Sequence, residues 1–126
     1  MTRDELQERL IDFAVLVTKI TREFPRDTEG KYYKDQMIRS SASPALNYGE
    51  STGAGTRKDF IHKTRIVLKE LRETFVALKI SHKLNLYQSH ELTQKALQEN
   101  NELIAIFVKT LKTSQENQNN DLKSKK

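Results

Sequence analysis

Lys58, His62, Arg65, Lys69, Arg72, Lys79 and Lys83 recur at separations of four and three, with one gap at Val76. That spacing lines side chains along one face of an α-helix. Between Thr56 and Asn85 there is no proline and no glycine. The stripe would run roughly 37 Å at about 1.5 Å per residue. A solvated helix face ordinarily mixes signs; a face of one sign fits a polyanion. The chemistry it offers is phosphate contact, which is strongly salt-dependent and weakly sequence-selective. No zinc finger, RNA-recognition aromatic motif or helix-turn-helix signature is present to read bases. Ordinary solvation is the competing reading, with Asp59, Glu70 and Glu73 flanking the stripe as local partners.

A second polar set lies upstream. Arg39, Ser43 and Asn47 are spaced by four and form one ridge, with Glu50 about a turn further on. The ridge reads as a structural hydrogen-bonded network, reaching Glu70 or Glu73, that sets helix register or a subunit contact. Buried polar groups must be paired, and a helix ridge is a poor place for loop-type chemistry.

Nothing else assembles a reaction centre. His62, His82 and His90 do not form a metal spacing and read as three isolated surface histidines. Ser43 has no histidine or lysine at a catalytic spacing. The GESTGAG segment lacks the lysine-then-hydroxyl ending of a phosphate loop. The chain has no cysteine, which excludes disulfides, thiol catalysis and cysteine-held metal. The expectation is a non-enzymatic protein with no metal and no cofactor.

Composition fits elements that would carry such stripes. Of 126 residues, 36% are hydrophobic and 31% charged, with four glycines, two prolines and no tryptophan. That is poor turn chemistry for a β protein and suits helices with one buried and one wet face. The net charge of +5 favours anionic partners, nucleic acid before a membrane surface. No stretch approaches the ~20 apolar residues of a membrane span, and the N-terminus has no apolar signal core. A cytoplasmic location, with no membrane partner, is the expectation.

The spacing predicts four helices. The first covers 4–24, with the seam Leu6, Leu10, Phe13, Val17, Ile20 and Phe24, capped by Thr2 with Glu5 and stopped by Pro25. The second covers 31–49 and is kinked at Pro44 beside the small residues Ser40 to Ser43 and Ala45. The third covers 57–84, capped by Thr56, with core residues Phe60, Thr64, Val67, Leu71, Phe75 and Leu78. The fourth covers 90–113, capped by Ser89, with Leu92, Ala96, Leu103, Ile106, Phe107 and Leu111 inward. Short connections make neighbours antiparallel. The fold class is therefore all-α, an antiparallel up-down-up-down four-helix bundle over residues 1–113. Residues 114–126 are mostly Gln, Asn, Ser and Lys, with one glutamate, one aspartate and one leucine, and predict a disordered polar tail.

The segments QMIRSSASPALNYGES and TRKDFIHKTRIVLKELRET carry a resemblance. Gln36, Arg39, Ser43, Asn47 and Glu50, then Lys58, Asp59, Phe60, His62, Lys69, Glu70, Arg72, Glu73 and Thr74, match the pattern of the 23S rRNA-intervening sequence protein family. The accessory variability determinant of diversity-generating retroelements is a relative. Similarity in helix order extends over about residues 5 to 112, with departures at Pro44, Tyr48 and Ser51. The resemblance implies a homopentameric four-helix bundle with a basic surface. It also implies RNA or DNA as a partner, or a protein partner such as a reverse transcriptase. Two functions follow: a nucleic-acid-binding oligomer, or a structural or adaptor oligomer with a protein partner and no direct nucleic-acid role.

Overall fold

The computed structural model describes residues 1–53 and 55–124. Its elements in chain order are α1 (Arg3–Thr21), α2 (Thr28–Thr52), α3 (Arg57–Lys83) and α4 (His90–Ser124). Each helix packs on the next, and α1 returns to α4 to close the bundle. Cross-helix bonds fix the directions. Gln7 reaches Ala45, Arg39 reaches Glu70, Lys63 reaches Glu50, Asn100 reaches Leu71 and Arg9 reaches Glu99. Together with the short turns at Phe24 and Leu86, these pairs make each neighbour antiparallel, so the topology is up-down-up-down.

The helix starts follow local chemistry. The Thr2 hydroxyl accepts from Glu5 N–H at 3.1 Å and the Glu5 carboxylate accepts from Thr2 N–H at 3.3 Å, a reciprocal capping box. Thr56 caps α3 by accepting from Asp59 N–H at 3.1 Å. Asp27 caps α2 through Gly30 N–H at 2.8 Å, so α2 begins three residues before the expected Lys31. A Cβ on Gly30 would stand 2.0 Å from the Pro25 carbonyl oxygen. Glycine is required there by close approach of two backbones.

The ends are equally local. α1 closes at Thr21, short of the expected Phe24, because its last turn tightens. Arg22, Glu23 and Phe24 donate three residues back, to Lys19, Ile20 and Thr21. Phe24 is still buried. At the end of α3, Asn85 adopts φ 56°. Asn85 N–H then donates to the His82 carbonyl and Leu86 N–H to the Ser81 carbonyl, both at 3.1 Å. This double bond pattern ends the helix and turns Leu86 into the core.

α2 runs through Pro44 and Gly49 to Thr52 as one helix. The proline ring removes the N–H that would otherwise bond the Ser40 carbonyl. The small residues here let neighbours approach. Ser40, Ser41 and Ala45 are buried, and the Gln7 side-chain amide donates to the Ala45 carbonyl at 3.0 Å.

The core is one cluster. Leu10, Val17, Ile20, Met37, Val67, Leu71, Leu78, Ala96, Leu103 and Phe107 are all fully enclosed. Tyr48 of α2 meets Phe107 of α4 edge-on, centroids 5.4 Å apart. Phe60, Leu92, Ile106 and Leu111 pack against the cluster's margin.

The predicted disordered tail requires correction. α4 continues as a helix to Ser124, while Lys125 and Lys126 lie outside the described residues. Low hydrophobicity argued for disorder, but α4 is already nucleated, and adding residues to an existing helix is far cheaper than starting one. No glycine or proline interrupts it. Leu111, Ser114, Gln115 and Gln118 are half-buried at helical spacing, and Asp121 forms an ion pair with Arg57 at the start of α3.

Candidate nucleic-acid interface

All seven stripe residues, Lys58, His62, Arg65, Lys69, Arg72, Lys79 and Lys83, are exposed on α3. The opposite face of the same helix carries Ile61, Thr64, Val67, Leu68, Leu71, Thr74 and Leu78 in the interior. Burial of that face holds the stripe outward. Among the described residues none of the seven lies within 4 Å of a carboxylate oxygen. Other cations are paired: Arg9 with Glu99 and Glu102, Arg39 with Glu70 and Glu73, Arg57 with Asp121, and Lys63 with Glu50. The Lys79 ammonium sits 5.1 Å from the centre of the Phe75 ring. The gap in the stripe at Val76 is itself exposed apolar surface.

The predicted polar ridge resolves into three separate pairings. Arg39 holds Glu70 at 3.1 Å and Glu73 at 2.9 Å, joining α2 to α3. The Asn47 amide donates to the Ser43 hydroxyl at 2.9 Å and the Ser43 carbonyl at 3.0 Å, within α2 alone. Glu50 takes the Lys63 ammonium at 2.6 Å. Burial, then the neighbouring Glu73, pushes the Glu70 carboxyl above its ordinary range despite Arg39. The hydrogen bond from Arg39 holds Glu73 below that range, with Lys69 adding to it. Glu73 in turn raises Arg39, although its burial opposes this.

Beneath this cluster the hydroxyls of Ser40 and Thr74 lie 2.8 Å apart, both buried, and Thr74 also reaches the Glu70 carbonyl at 2.9 Å. Above it runs a groove of about 800 Å³ between α2 and α3. Tyr32, Tyr33 and Arg39 of α2 line one side; Arg65, Lys69, Arg72, Val76 and Ile80 of α3 line the other. The stripe is therefore one rim of a groove, not an isolated ridge. Tyr32 and Tyr33 meet edge-on with centroids 5.2 Å apart.

The isolated-histidine expectation requires correction. The turn at Asn85 brings Tyr87 back onto His82: their rings stack at 5.7 Å and the Tyr87 hydroxyl bonds His82 Nδ1. His90 stands edge-on to His82 at 5.7 Å. His62 remains apart in the stripe. Among the described residues no three histidine or acidic side chains are placed to hold a metal, and no helix is long and apolar enough to cross a membrane.

Sequence reasoning passed over two further structural residues. The Glu23 carboxylate accepts from Gln88 N–H and Ser89 N–H at 3.0 and 2.9 Å, so the turn after α1 ties down the segment that leads into α4 and sets a negative charge near its N-terminus. Asn100 is fully buried and donates to the Leu71 carbonyl at 2.9 Å. Its place between Ala96 and Leu103, at core spacing, was the available signal.

Comparison with known proteins agrees with this architecture. A solved structure of a protein with unknown function from the S23 ribosomal protein family of Bacteroides thetaiotaomicron superposes with a TM-score of 0.77. The match covers 89% of this chain and 99% of that one at 24% sequence identity, a likeness of fold. No curated protein matches the chain. The family model of the 23S rRNA-intervening sequence proteins matches residues 4–109, which takes in all of α2 and α3 and nearly all of α1, and the chain belongs to that family.

Proposed function

We propose that this protein is a non-enzymatic, cytoplasmic nucleic-acid-binding oligomer that engages phosphates through the exposed face of α3. One observation carries the reading. The molecule pairs Arg9, Arg39, Arg57 and Lys63 with carboxylates, yet leaves the cations of the stripe facing solvent at helical spacing. Binding is phosphate-dominated and weakly selective for sequence. The pentamer implied by the family resemblance would repeat the stripe around an axis, and modest contacts would then add as avidity. The test is a titration of RNA and DNA, single-stranded and duplex, across salt concentrations. Steep loss of affinity with salt, and loss of binding in a Lys58→Glu, Arg65→Glu, Arg72→Glu variant that keeps its oligomer, support the reading. No binding at low salt defeats it.

A second reading is a structural or adaptor oligomer with a protein partner. It rests on Ile11 and Val15, one turn apart on α1 and both exposed, with Val108 exposed on α4. Separate variants distinguish the two: under this reading the triple variant on α3 keeps the protein partner, and Ile11→Asp with Val15→Asp loses it. A monomer by light scattering at micromolar concentration counts against both.

A further inference from the structure

We infer that the groove between α2 and α3 takes a single strand of nucleic acid, with bases against Tyr32 and phosphates along Arg65, Lys69 and Arg72. This deepens the phosphate-contact reading and rests on it. A bare basic face would serve a duplex and a single strand alike, because both present phosphates. This face is not bare. Beside its cations lies a groove of about 800 Å³ whose exposed residues include Tyr32, Val76 and Ile80, at 57%, 55% and 37% exposure. A duplex keeps its bases stacked inside and would set phosphates over those exposed apolar and aromatic side chains. A single strand has unstacked bases to bury there.

The aromatic wall is built for the task. Tyr32 stands edge-on to the half-buried Tyr33 at 88°, so its ring is braced before a base arrives and less side-chain freedom is lost on binding. Every base has a π-face, so such a contact is tolerant of sequence. Charge sets the strand's course. Glu73 also lines the groove and takes one end of the Arg39 guanidinium. A carboxylate repels phosphate, so the backbone is steered to the outer rim, where among the described residues Arg65, Lys69 and Arg72 form no ion pair within 4 Å, Lys69 feeling Glu73 only at longer range. Bases then point inward toward α2.

The experiment uses the full chain with three probes: a ten-nucleotide oligo(U) RNA, an RNA duplex of equal phosphate number, and polyphosphate, which has charge but no base. The expected order at moderate salt is oligo(U) above duplex. Tyr32→Ala should weaken oligo(U) about tenfold, within the span of a base–aromatic stack, and leave polyphosphate unchanged; Tyr32→Phe should restore binding. Tyr32 is exposed, so the fold does not depend on it. Equal affinity for oligo(U) and duplex, or an unaffected Tyr32→Ala variant, overturns the groove assignment. If Arg72→Glu still abolishes binding in that case, phosphate contact by the stripe stands without it. Failure of all three probes at low salt overturns both.

Discussion

The Arg39 guanidinium reaches Glu70 at 3.1 Å and Glu73 at 2.9 Å, so a single cation from α2 serves two carboxylates of α3 that lie one turn apart. The two acids are not equivalent. Glu70 is mostly buried and Glu73 partly exposed, and their proton affinities move in opposite directions. Replacing Arg39 by Met leaves a buried acid beside a like charge. Because Arg39 is about half exposed, the cost at neutral pH should be about 1–2 kcal/mol, below that of a fully buried pair.

That cost should depend on pH with a definite sign. Glu70 binds its proton more tightly folded than unfolded. Its ionisation therefore withdraws stability as pH rises through the folded value, and without Arg39 it withdraws more. Glu73 behaves oppositely: Arg39 holds its value down, and the stability this adds is lost as pH falls through the folded value. Both effects shrink the difference between the parent and Arg39→Met on acidification from pH 7 toward pH 4. Urea unfolding at several pH values measures it, and a difference that does not change with pH would show that the cluster contributes nothing electrostatic.

Gly30→Ala should destabilise. Alanine gains about 1 kcal/mol of helix propensity over glycine. Against that, the new Cβ would sit 2.0 Å from the Pro25 carbonyl oxygen and 2.9 Å from the Asp27 carboxylate that caps the helix. Neither the backbone oxygen nor the cap can move freely, so the net loss should be about 2 kcal/mol. Thermal unfolding of the single variant decides which effect wins.

The helix order and the stripe were legible because both are intrahelical. A period of 3.6 places Lys58 to Lys83 on one face without any knowledge of neighbours, and Thr2 with Glu5 announces its own cap. Contacts between helices were not. Arg39 with Glu70, Lys63 with Glu50 and Ser40 with Thr74 depend on how far α2 slides along α3. Charge pattern alone does not set that offset. The groove was missed for the same reason: Tyr32 of α2 and Arg72 of α3 are forty residues apart and line one groove only once that offset exists. The tail was misread because composition judges a segment as if it stood alone, whereas residues beyond Ser114 extend a helix already formed.

Asn100 should be replaceable at little cost by an apolar residue of similar volume. Its amide nitrogen donates to the Leu71 carbonyl, but among the described residues its carbonyl oxygen meets no donor, in a site with no exposure. The Leu71 carbonyl keeps its own helical N–H. Asn100→Leu therefore removes a desolvated acceptor together with a supplementary bond, and should be neutral or stabilising by about 1 kcal/mol. Asn100→Asp adds a charge to the same site and should prevent folding near neutral pH or cost more than about 3 kcal/mol. The denaturation midpoint of Asn100→Leu should hold or rise, and that of Asn100→Asp should fall.

Truncation after Thr113 should remove helix without unfolding the bundle. The core residue of α4 nearest that end is Phe107, so the cut spares the buried cluster. The loss should be the half-buried Ser114, Gln115 and Gln118 and the exposed Arg57–Asp121 pair, an exposed contact worth about 1 kcal/mol at most. Far-ultraviolet circular dichroism should fall in proportion to the residues removed, with the unfolding midpoint nearly unchanged. A drop in signal with a large loss of stability would show that the extension supports the core.

The stripe makes a quantitative claim about salt. Each phosphate neutralised contributes a slope of about −0.9 in log affinity against log salt for duplex DNA. Arg65→Ala and Arg72→Ala should each make the slope shallower by close to that amount, because among the described residues neither side chain has an ion pair to give up. Lys63 is the control on the same helix. Its ammonium is already held by Glu50 at 2.6 Å, so a phosphate contact there would have to break the pair first, and Lys63→Ala should leave the slope nearly unchanged. Equal slopes for all three variants would mean that affinity follows the net charge of the molecule and not the arrangement of cations on α3, and the stripe would then have no special role.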